Sequence, residues 1–466
     1  MKDYQKNFKG KKITVMGLGI LGRGLGYTKF LAECGADLIV TDLKSKEQLV
    51  TSVKALAKFK NIKFVLGEHR LEDFRDRDMI VKAAGVPLDS IYIKEARRNN
   101  IPIEMDVSLF SKCAPKVMII GVTGTRGKSM TTTLIYEILK ANASFIKIPD
   151  GQGKNYKSIN VYPGGNLRGV ATLPLLKKIK DGDIVVCELD SWQLQGFGDS
   201  HISPHISVFT TFMPDHMNYY KGSMEEYFDD KANIFKYQKK EDHLIIRPNM
   251  KEFINNKKVK GKFIVINPKS VASWKFSVPG EHHRENLACA VKVAEIISLP
   301  EGKIKKVVRE FKGLEGRSQL LRVYKGVKIY NDNNATTPEA LIVGVKALSD
   351  VGRPIRTSNI RQQDIILICG GSDKKVDLTE LVKTINKNCK FVSLIAGTGT
   401  DVLLKNYKLK IPYEVSDNLK DVVKKALAKT KKGDVLLFSP AFASFGMFNN
   451  EYERNDLFIK IIKGLQ

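Results

Sequence analysis

Residues 121–133, Gly121-Val-Thr-Gly-Thr-Arg-Gly-Lys-Ser-Met-Thr-Thr-Thr133, carry the strongest chemical signal in the chain. Glycines let backbone N–H groups close around phosphate oxygens, and a helix start adds partial positive charge. In such a loop Lys128 reaches the β- and γ-phosphates and Ser129 ligates Mg²⁺. The strict spacing Gly-x4-Gly-Lys-Ser/Thr is not met, because Val122 stands where the first glycine belongs. An apolar run, Asp183-Ile-Val-Val-Cys-Glu188, ends in a carboxylate. A metal held at the carboxyl edge of a sheet needs such a fixed oxygen ligand, although a solvated strand end gives the same pattern. A second turn, Gly17-Leu-Gly-Ile-Leu-Gly22, matches GxGxxG, and Asp42 follows it at the spacing of a ribose-binding acid. NAD, another nucleotide diphosphate, or a ligand-free strand–helix turn all satisfy that pattern.

These residues need sheets behind them. Apolar runs predict strands at 11–16, 37–41, 63–66, 79–82 and 101–103, with a helix from the glycine turn to about Cys34. The phosphate loop is predicted between a strand at 116–120 and a helix with Leu134, Ile135, Ile138 and Leu139 on one face. Residues 141–162 read as irregular, and an apolar helix is expected after Pro163-Gly-Gly-Asn-Leu-Arg-Gly169. Strands follow at 183–188, 206–210, 244–247 and 263–266, and a helix from Glu225 to Phe235 carries Lys231. Pro279 to Asn286 opens a helix from Leu287 to Ile297, with His282 and His283 expected to point in different directions. From about residue 314 strands (327–330, 365–369, 392–396, 435–438) alternate with helices (338–348, 378–386, 419–429). The loops after three of those strands, at 332–336, 370–374 and 439–445, are where an open α/β sheet binds ligand. The fold class is therefore α/β, with a Rossmann-like domain at 1–111, a central P-loop ATPase-like domain at 112–313 and a Rossmann-like domain at 314–466.

Composition bounds the function. The 466 residues exceed one core, and 43% hydrophobic with 27% charged residues is ordinary for a soluble chain. The net charge of +27 comes from lysines spread along the sequence, which favours anionic ligands without marking a dedicated groove. No zinc finger or RNA-recognition signature accompanies it, so specific nucleic-acid binding is not expected. The six cysteines lie far apart in apolar runs and read as reduced thiols of a cytoplasmic protein. No signal-peptide core is seen, and no run reaches the ~18 apolar residues of a membrane span.

The order of pieces, a GxGxxG domain, a Gly-Thr-x-Gly-Lys-Ser domain and a Rossmann-like domain, resembles the Mur ligases. Glu188-Leu-Asp-Ser-Trp-Gln-Leu194, Asp215-His-Met217, Tyr227-Phe-Asp-Asp-Lys231 and Ser439-Pro-Ala-Phe-Ala-Ser444 resemble its D-glutamate-adding branch. The resemblance implies an ATP-dependent, ADP-producing, amide-forming enzyme of peptidoglycan precursor synthesis, acting as a monomer. The carboxylate of UDP-N-acetylmuramoyl-L-alanine would attack the γ-phosphate of ATP, and the amine of D-glutamate would then displace phosphate from the acyl phosphate. Positioning and charge neutralisation are expected to do most of the catalysis.

Residue by residue, the resemblance implies that Lys128, Asn166, Glu188, His216 and Lys231 serve catalysis. Ser129 and Glu188 would hold one Mg²⁺, and His216 with a carbamylated Lys231 a second. Gly124, Thr125, Arg126, Gly127, Lys128, Ser129, Met130, Asn286, Arg317 and Asp332 would bind ATP. Gly19, Ile20, Leu21 and Asp42 would bind the UDP substrate, and Thr336, Lys374, Ser444 and Phe445 the amino acid. The chain departs from the family pattern at His282-His283, at Gly316 for a usual histidine, at Asn334 for a usual lysine, and at Ala83-Ala84-Gly85 for Ser-Pro-Gly. A related Mur-type or polyglutamate-type ligase with another amino acid or acceptor is the alternative. A non-catalytic nucleotide-binding protein is the reading from a different class.

Overall fold

The computed structural model describes residues 3–146, 159–167, 169–255, 257–349 and 365–465. The chain forms two compact units, residues 1–272 with 285–307, and residues 273–284 with 308–466. The first unit holds two sheets. In one, strands β1 (Lys12–Met16), β2 (Asp37–Asp42), β3 (Ile62–Leu66), β4 (Met79–Lys82) and β5 (Ile103–Glu104) lie in the order β3-β2-β1-β4-β5, all parallel. Strand order reverses between β1 and β4, so the Gly17–Gly22 turn leaves at the switch point, where such sheets bind ligand.

The second sheet contains β6 (Met118–Thr123), β7 (Val161–Gly165), β8 (Ile184–Glu188), β9 (Ile206–Phe209), β10 (His243–Ile246) and β11 (Lys262–Val265). Their order is β11-β10-β9-β6-β8-β7, again all parallel. Central β6 has Val122 opposite Glu188 on β8 and Thr123 opposite Phe209 on β9. That register brings the phosphate loop, Glu188 and the 210–217 segment to one carboxyl edge. The helix Lys128–Ala141 buries Leu134, Ile135, Ile138 and Leu139, the face predicted for it. The two sheets are tied within this unit: the Asp106 carboxylate accepts from Thr172 N at 2.7 Å and Leu173 N at 2.8 Å.

The second unit is built on β12 (Gln319–Tyr324), β13 (Val327–Asn331), β14 (Ile365–Gly370), β15 (Cys389–Ile395), β16 (Tyr413–Ser416) and β17 (Val435–Phe438), in the order β12-β13-β17-β14-β15-β16. Because β13, β17 and β14 are neighbours, the loops after Asn331, Gly370 and Phe438 emerge side by side. Its core lies on both faces of the sheet, which is why these strands read as continuous apolar runs.

The differences from expectation have local causes. Strand β7 contains Pro163-Gly-Gly, a poor strand sequence that is tolerated because β7 is an edge strand. The apolar helix expected after it is a short 3₁₀ stretch, Leu173–Lys177. The helix expected from Leu287 begins at Glu281, so His282 and His283 lie in its first turn with ring centroids 4.0 Å apart rather than diverging. Strand β12 is antiparallel to β13 through a turn in which Lys325 and Gly326 both have positive φ. Strand β16 and the helices Thr398–Asn406 and Glu451–Lys463 were not anticipated either. Of the 141–162 stretch, residues 147–158 lie outside the described residues. Among the described residues no helix is long and apolar enough to cross a membrane.

Candidate active site

The phosphate loop is shaped by what stands behind it. Gly124 has φ 142°, and a β-carbon there would lie 2.1 Å from Thr210 Oγ1. Gly127 has φ 89°, and its β-carbon would lie 2.6 Å from Asn286 Oδ1. Only glycine meets both demands at these points. The loop is pinned from the segment after β9: Thr125 N donates to Thr211 O (2.7 Å) and Arg126 N to Thr211 Oγ1 (2.8 Å). Arg126 O accepts from Thr210 Oγ1 (2.6 Å). Met130 is buried beneath the loop, and Ser129 occupies the first helical turn. Asn286 Oδ1 accepts from Thr131 Oγ1 (3.0 Å) and from Arg247 Nη2, while Arg247 Nη1 pairs with Glu285 at 2.7 Å. Arg247, at the end of apolar β10, was missed; an arginine closing a strand at the carboxyl edge was its only signal.

Two lysines converge on one oxygen. Lys128 Nζ donates to Gly124 O at 2.8 Å and to Thr125 O at 3.1 Å, and Lys231 Nζ donates to the same Gly124 O at 3.1 Å. Lys231 is 1% exposed, with the Tyr227 ring 4.8 Å from its ammonium. Burial, and secondly the Lys128 charge, push its pKa down to about 7. At neutral pH a sizeable fraction is therefore free amine.

His216 follows Asp215 in a left-handed conformation, φ 56°, unusual for a non-glycine residue. Its ring packs on Trp192 at 4.7 Å, and burial lowers its pKa, which favours the neutral imidazole, the form that binds a cation. Arg126, whose presence the motif does not explain, pairs with Asp215 Oδ2 at 3.2 Å. Glu188 is buried at the end of β8, and Asn166 N donates to Glu188 O at 2.7 Å. Asn166 Oδ1 accepts from Arg23 Nη2 at 2.8 Å, and the same nitrogen donates to Leu167 O at 3.1 Å. Arg23 stands directly after the GxGxxG turn, and nothing near it in the chain announces its contact with Asn166.

Among the described residues no three His, Cys, Asp or Glu side chains come together as a metal cluster. Ser129, Glu188 and His216 suit Mg²⁺ only if phosphate oxygens and water complete the set, which is how this ion is usually held, and Lys231 fits it only as a carbamate. The glycine cradle and the lysine pair fit a polyphosphate in the same place. In the first sheet, Asp42 Oδ2 accepts from Gly19 N (2.8 Å) and Oδ1 from Lys44 N (2.9 Å), so the acid holds its own turn closed. Ile20 and Leu21 are exposed beside it at the switch point.

The second unit gathers the remaining candidates. Asp332 is buried, accepting from Ser318 N (3.0 Å) and Ser439 Oγ (3.1 Å), and burial raises its pKa to about 7. Arg317 sits just before Ser318, and its N donates to Leu314 O at 3.0 Å. Lys374 Nζ donates to Thr336 Oγ1 at 3.3 Å. Ser444 is buried, Phe445 is exposed, and Ser372 Oγ donates to Phe445 O. Two departures from the family pattern are neighbours: Asn334 N donates to Gly316 O at 2.9 Å, and a β-carbon at Gly316 would lie 3.0 Å from Asn334 Oδ1. Arg454, 1% exposed and also unanticipated, donates to Asn333 Oδ1 (2.9 Å), Asn333 O (3.2 Å) and Phe442 O (3.4 Å). It thereby ties the loop after β13 to the loop after β17.

Residues 11–104 match the MurD-like N-terminal domain of Mur ligases, 122–274 the Mur ligase middle domain, and 316–442 the Mur ligase glutamate ligase domain. The chain is 32% identical over 496 residues to the UDP-N-acetylmuramoylalanine–D-glutamate ligase of Roseiflexus sp. (strain RS-1), covering 97% of this chain and 98% of the relative. It is 32% identical over 476 residues to the protein of the same name from Borreliella afzelii (strain PKo), with the same coverage of 97% and 98%. Its fold is similar to UDP-N-acetylmuramate-alanine ligase MurC from Thermotoga maritima (TM-score 0.56, 16% identity, 97% of this chain and 99% of that one). It is equally similar to MurF ligase from Thermotoga maritima in complex with ADP (TM-score 0.56, 17% identity, 99% of each chain).

Proposed function

Because the chain belongs to the Mur ligase family, we infer that it is an ATP-dependent ligase joining D-glutamate to UDP-N-acetylmuramoyl-L-alanine in peptidoglycan precursor synthesis. The observation that carries the reading is the convergence of Lys128 and Lys231 on Gly124 O, inside a glycine cradle at the edge that also holds Glu188. Residues 1–111 receive the UDP end of the first substrate at Gly19, Ile20, Leu21 and Asp42. Residues 112–313 hold ATP, and residues 314–466 supply Arg317 and Asp332 for the nucleotide and Thr336, Lys374, Ser444 and Phe445 for the amino acid.

ATP enters as a substrate, and Mg²⁺ supplies charge neutralisation at its phosphates when bound. Two Mg²⁺ sites would suit the donors, one at Ser129 and Glu188, one at His216 and Lys231 once the lysine is carbamylated. Lys128 exchanges a backbone carbonyl for phosphate oxygens, so its charge is already in place when the phosphoryl group moves. The substrate carboxylate attacks the γ-phosphorus, the bond to the bridging oxygen breaks, ADP leaves and an acyl phosphate forms. The D-glutamate amine then bonds to the acyl carbon, phosphate leaves with the former carboxylate oxygen, and the amine loses its proton. Asn166 donates to the acyl oxygen once it turns from Arg23. The neutral fraction of Lys231 is the form that captures CO₂ as a carbamate, converting a buried cation into a metal-binding anion. Lys374 faces the side-chain carboxylate of the incoming amino acid.

Phosphate release is the test. It is expected only when ATP, UDP-N-acetylmuramoyl-L-alanine and D-glutamate are all present. Release with L-amino acids alone would overturn the D-glutamate assignment, and no release with any member of an amino-acid panel would overturn the ligase reading itself.

A further inference from the structure

The reaction described above uses buried Lys231 and leaves the other buried lysine among the described residues without a task. Lys82 ends β4 in the first sheet and is 1% exposed. A buried ammonium is costly unless it is given acceptors. Its Nζ donates to Val86 O at 3.1 Å and to Gln195 Oε1 at 3.4 Å. Gln195 Nε2 donates onward to Asp230 Oδ2 at 2.8 Å and to Tyr219 OH at 3.0 Å. Tyr220 OH donates to the same Asp230 oxygen at 3.0 Å. An amide placed between a cation and an anion has one favourable orientation, oxygen toward the ammonium and nitrogen toward the carboxylate. Lys82, Gln195 and Asp230 thus form an ion pair relayed through an amide, in surroundings dry enough to strengthen each bond.

Both branches of the relay end on the scaffold of the reaction site. Asp230 immediately precedes Lys231 on the helix Met224–Lys236. Tyr219 stands edge-on to Trp192 at 5.5 Å, and Trp192 packs on His216. Tyr219 N and Tyr220 N both donate to His216 O, at 2.9 and 3.2 Å, which holds the turn that gives His216 its left-handed backbone. On the other side, Val86 belongs to the loop after β4, next to the switch point of the first sheet. One side chain therefore joins the first sheet to the turn bearing His216 and the helix bearing Lys231.

We propose that Lys82 is a positioning residue for the ligase reaction, fixing His216 and Lys231 through Gln195, Asp230 and Tyr219. Its kinetic consequence rests on the ligase reading; its structural consequence does not. Lys82→Met is expected to lower kcat about 10- to 100-fold, as loss of a buried partner behind a functional group does, with little change in KM for the UDP substrate. Gln195→Leu, which cuts the relay one step later, is expected to do the same. The double variant is expected to lose no more than the worse single variant, because both remove one connection.

A second readout needs no substrate. In a Trp274→Phe background Trp192 is the remaining tryptophan, and its emission is expected to shift in both variants as Tyr219 and His216 move. A double loss equal to the product of the single losses overturns the relay. So does a folded Lys82→Met protein with kcat within about twofold of wild type and unchanged Trp192 emission. Should Lys82→Met fail to fold, Gln195→Leu decides by the same two criteria. Wild-type phosphate release is measured first: its absence defeats the ligase reading alone, and the emission measurement still judges the relay.

Discussion

Lys231 sets the terms at the residue scale, because its burial is a stability cost kept for chemistry. Its pKa in the folded chain, about 7, lies below the ordinary 10.5, so the unfolded chain binds that proton more tightly. Stability attributable to this group therefore rises with pH between those values and is poorest below about pH 7. Lys231→Met is expected to stabilise the protein by about 2–4 kcal/mol near pH 6 and by almost nothing near pH 10. Urea unfolding at the two pH values in CO₂-free buffer checks this. Activity is expected to vanish in Lys231→Ala and to return in part with added short carboxylic acids, which replace the carbamate; full activity without them would remove the carbamate from the mechanism. Lys128→Ala is expected to raise the barrier by ~3–4 kcal/mol, the usual loss for one preorganised charge-stabilising group. Single-turnover phosphate release would show it, and a loss under about tenfold would mean that Lys128 does not face the phosphoryl group in the transition state.

At the scale of elements, what was readable was whatever physics writes locally. Parallel strands covered on both faces appear as apolar runs, so β1, β2, β4, β8, β13, β14 and β17 were legible. The phosphate loop was legible because only glycine meets its backbone and packing demands. Strands β7 and β12 were not, since one hides a proline and two glycines at an edge and the other turns on Lys325-Gly326. Site supports were the least legible. Arg23, Arg247 and Arg454 reach acceptors far away in sequence, and nothing near them in the chain announces those acceptors. Arg454 illustrates the consequence. It anchors two loops from the helix Glu451–Lys463, and its removal strands buried acceptors on both. Each such group left unsatisfied costs about 1–3 kcal/mol. Arg454→Met is expected to lower Tm by several degrees and to raise KM for D-glutamate more than KM for the UDP substrate. Equal effects on both substrates would show that the loops it ties do not form the amino-acid site.

For the molecule as a whole, the net charge of +27 remains after every motif has been assigned. Several of its lysines pair with carboxylates at the surface, such as Lys11 with Asp78 and Lys116 with Asp181, both largely exposed pairs that add little to stability. The lysines are spread along the whole sequence, so their joint effect is a field. A field of that sign acts on reactants that are anionic, and in the proposed reaction all three are: a UDP-linked carboxylate, ATP and an amino acid with two carboxylates. Such a field speeds encounter and leaves the chemical step alone. Salt shortens its reach, from a Debye length of about 20 Å near 0.02 M to below 10 Å at physiological strength. Raising KCl across that range is therefore expected to increase KM for the UDP substrate and for ATP severalfold while kcat stays level. The rise should be steeper for the UDP substrate, because Mg²⁺ offsets about half of the charge on ATP before it arrives. A KM that ignores salt would mean that the charge is neutralised before substrates arrive, and that capture depends only on the short-range contacts of the phosphate loop and the GxGxxG turn.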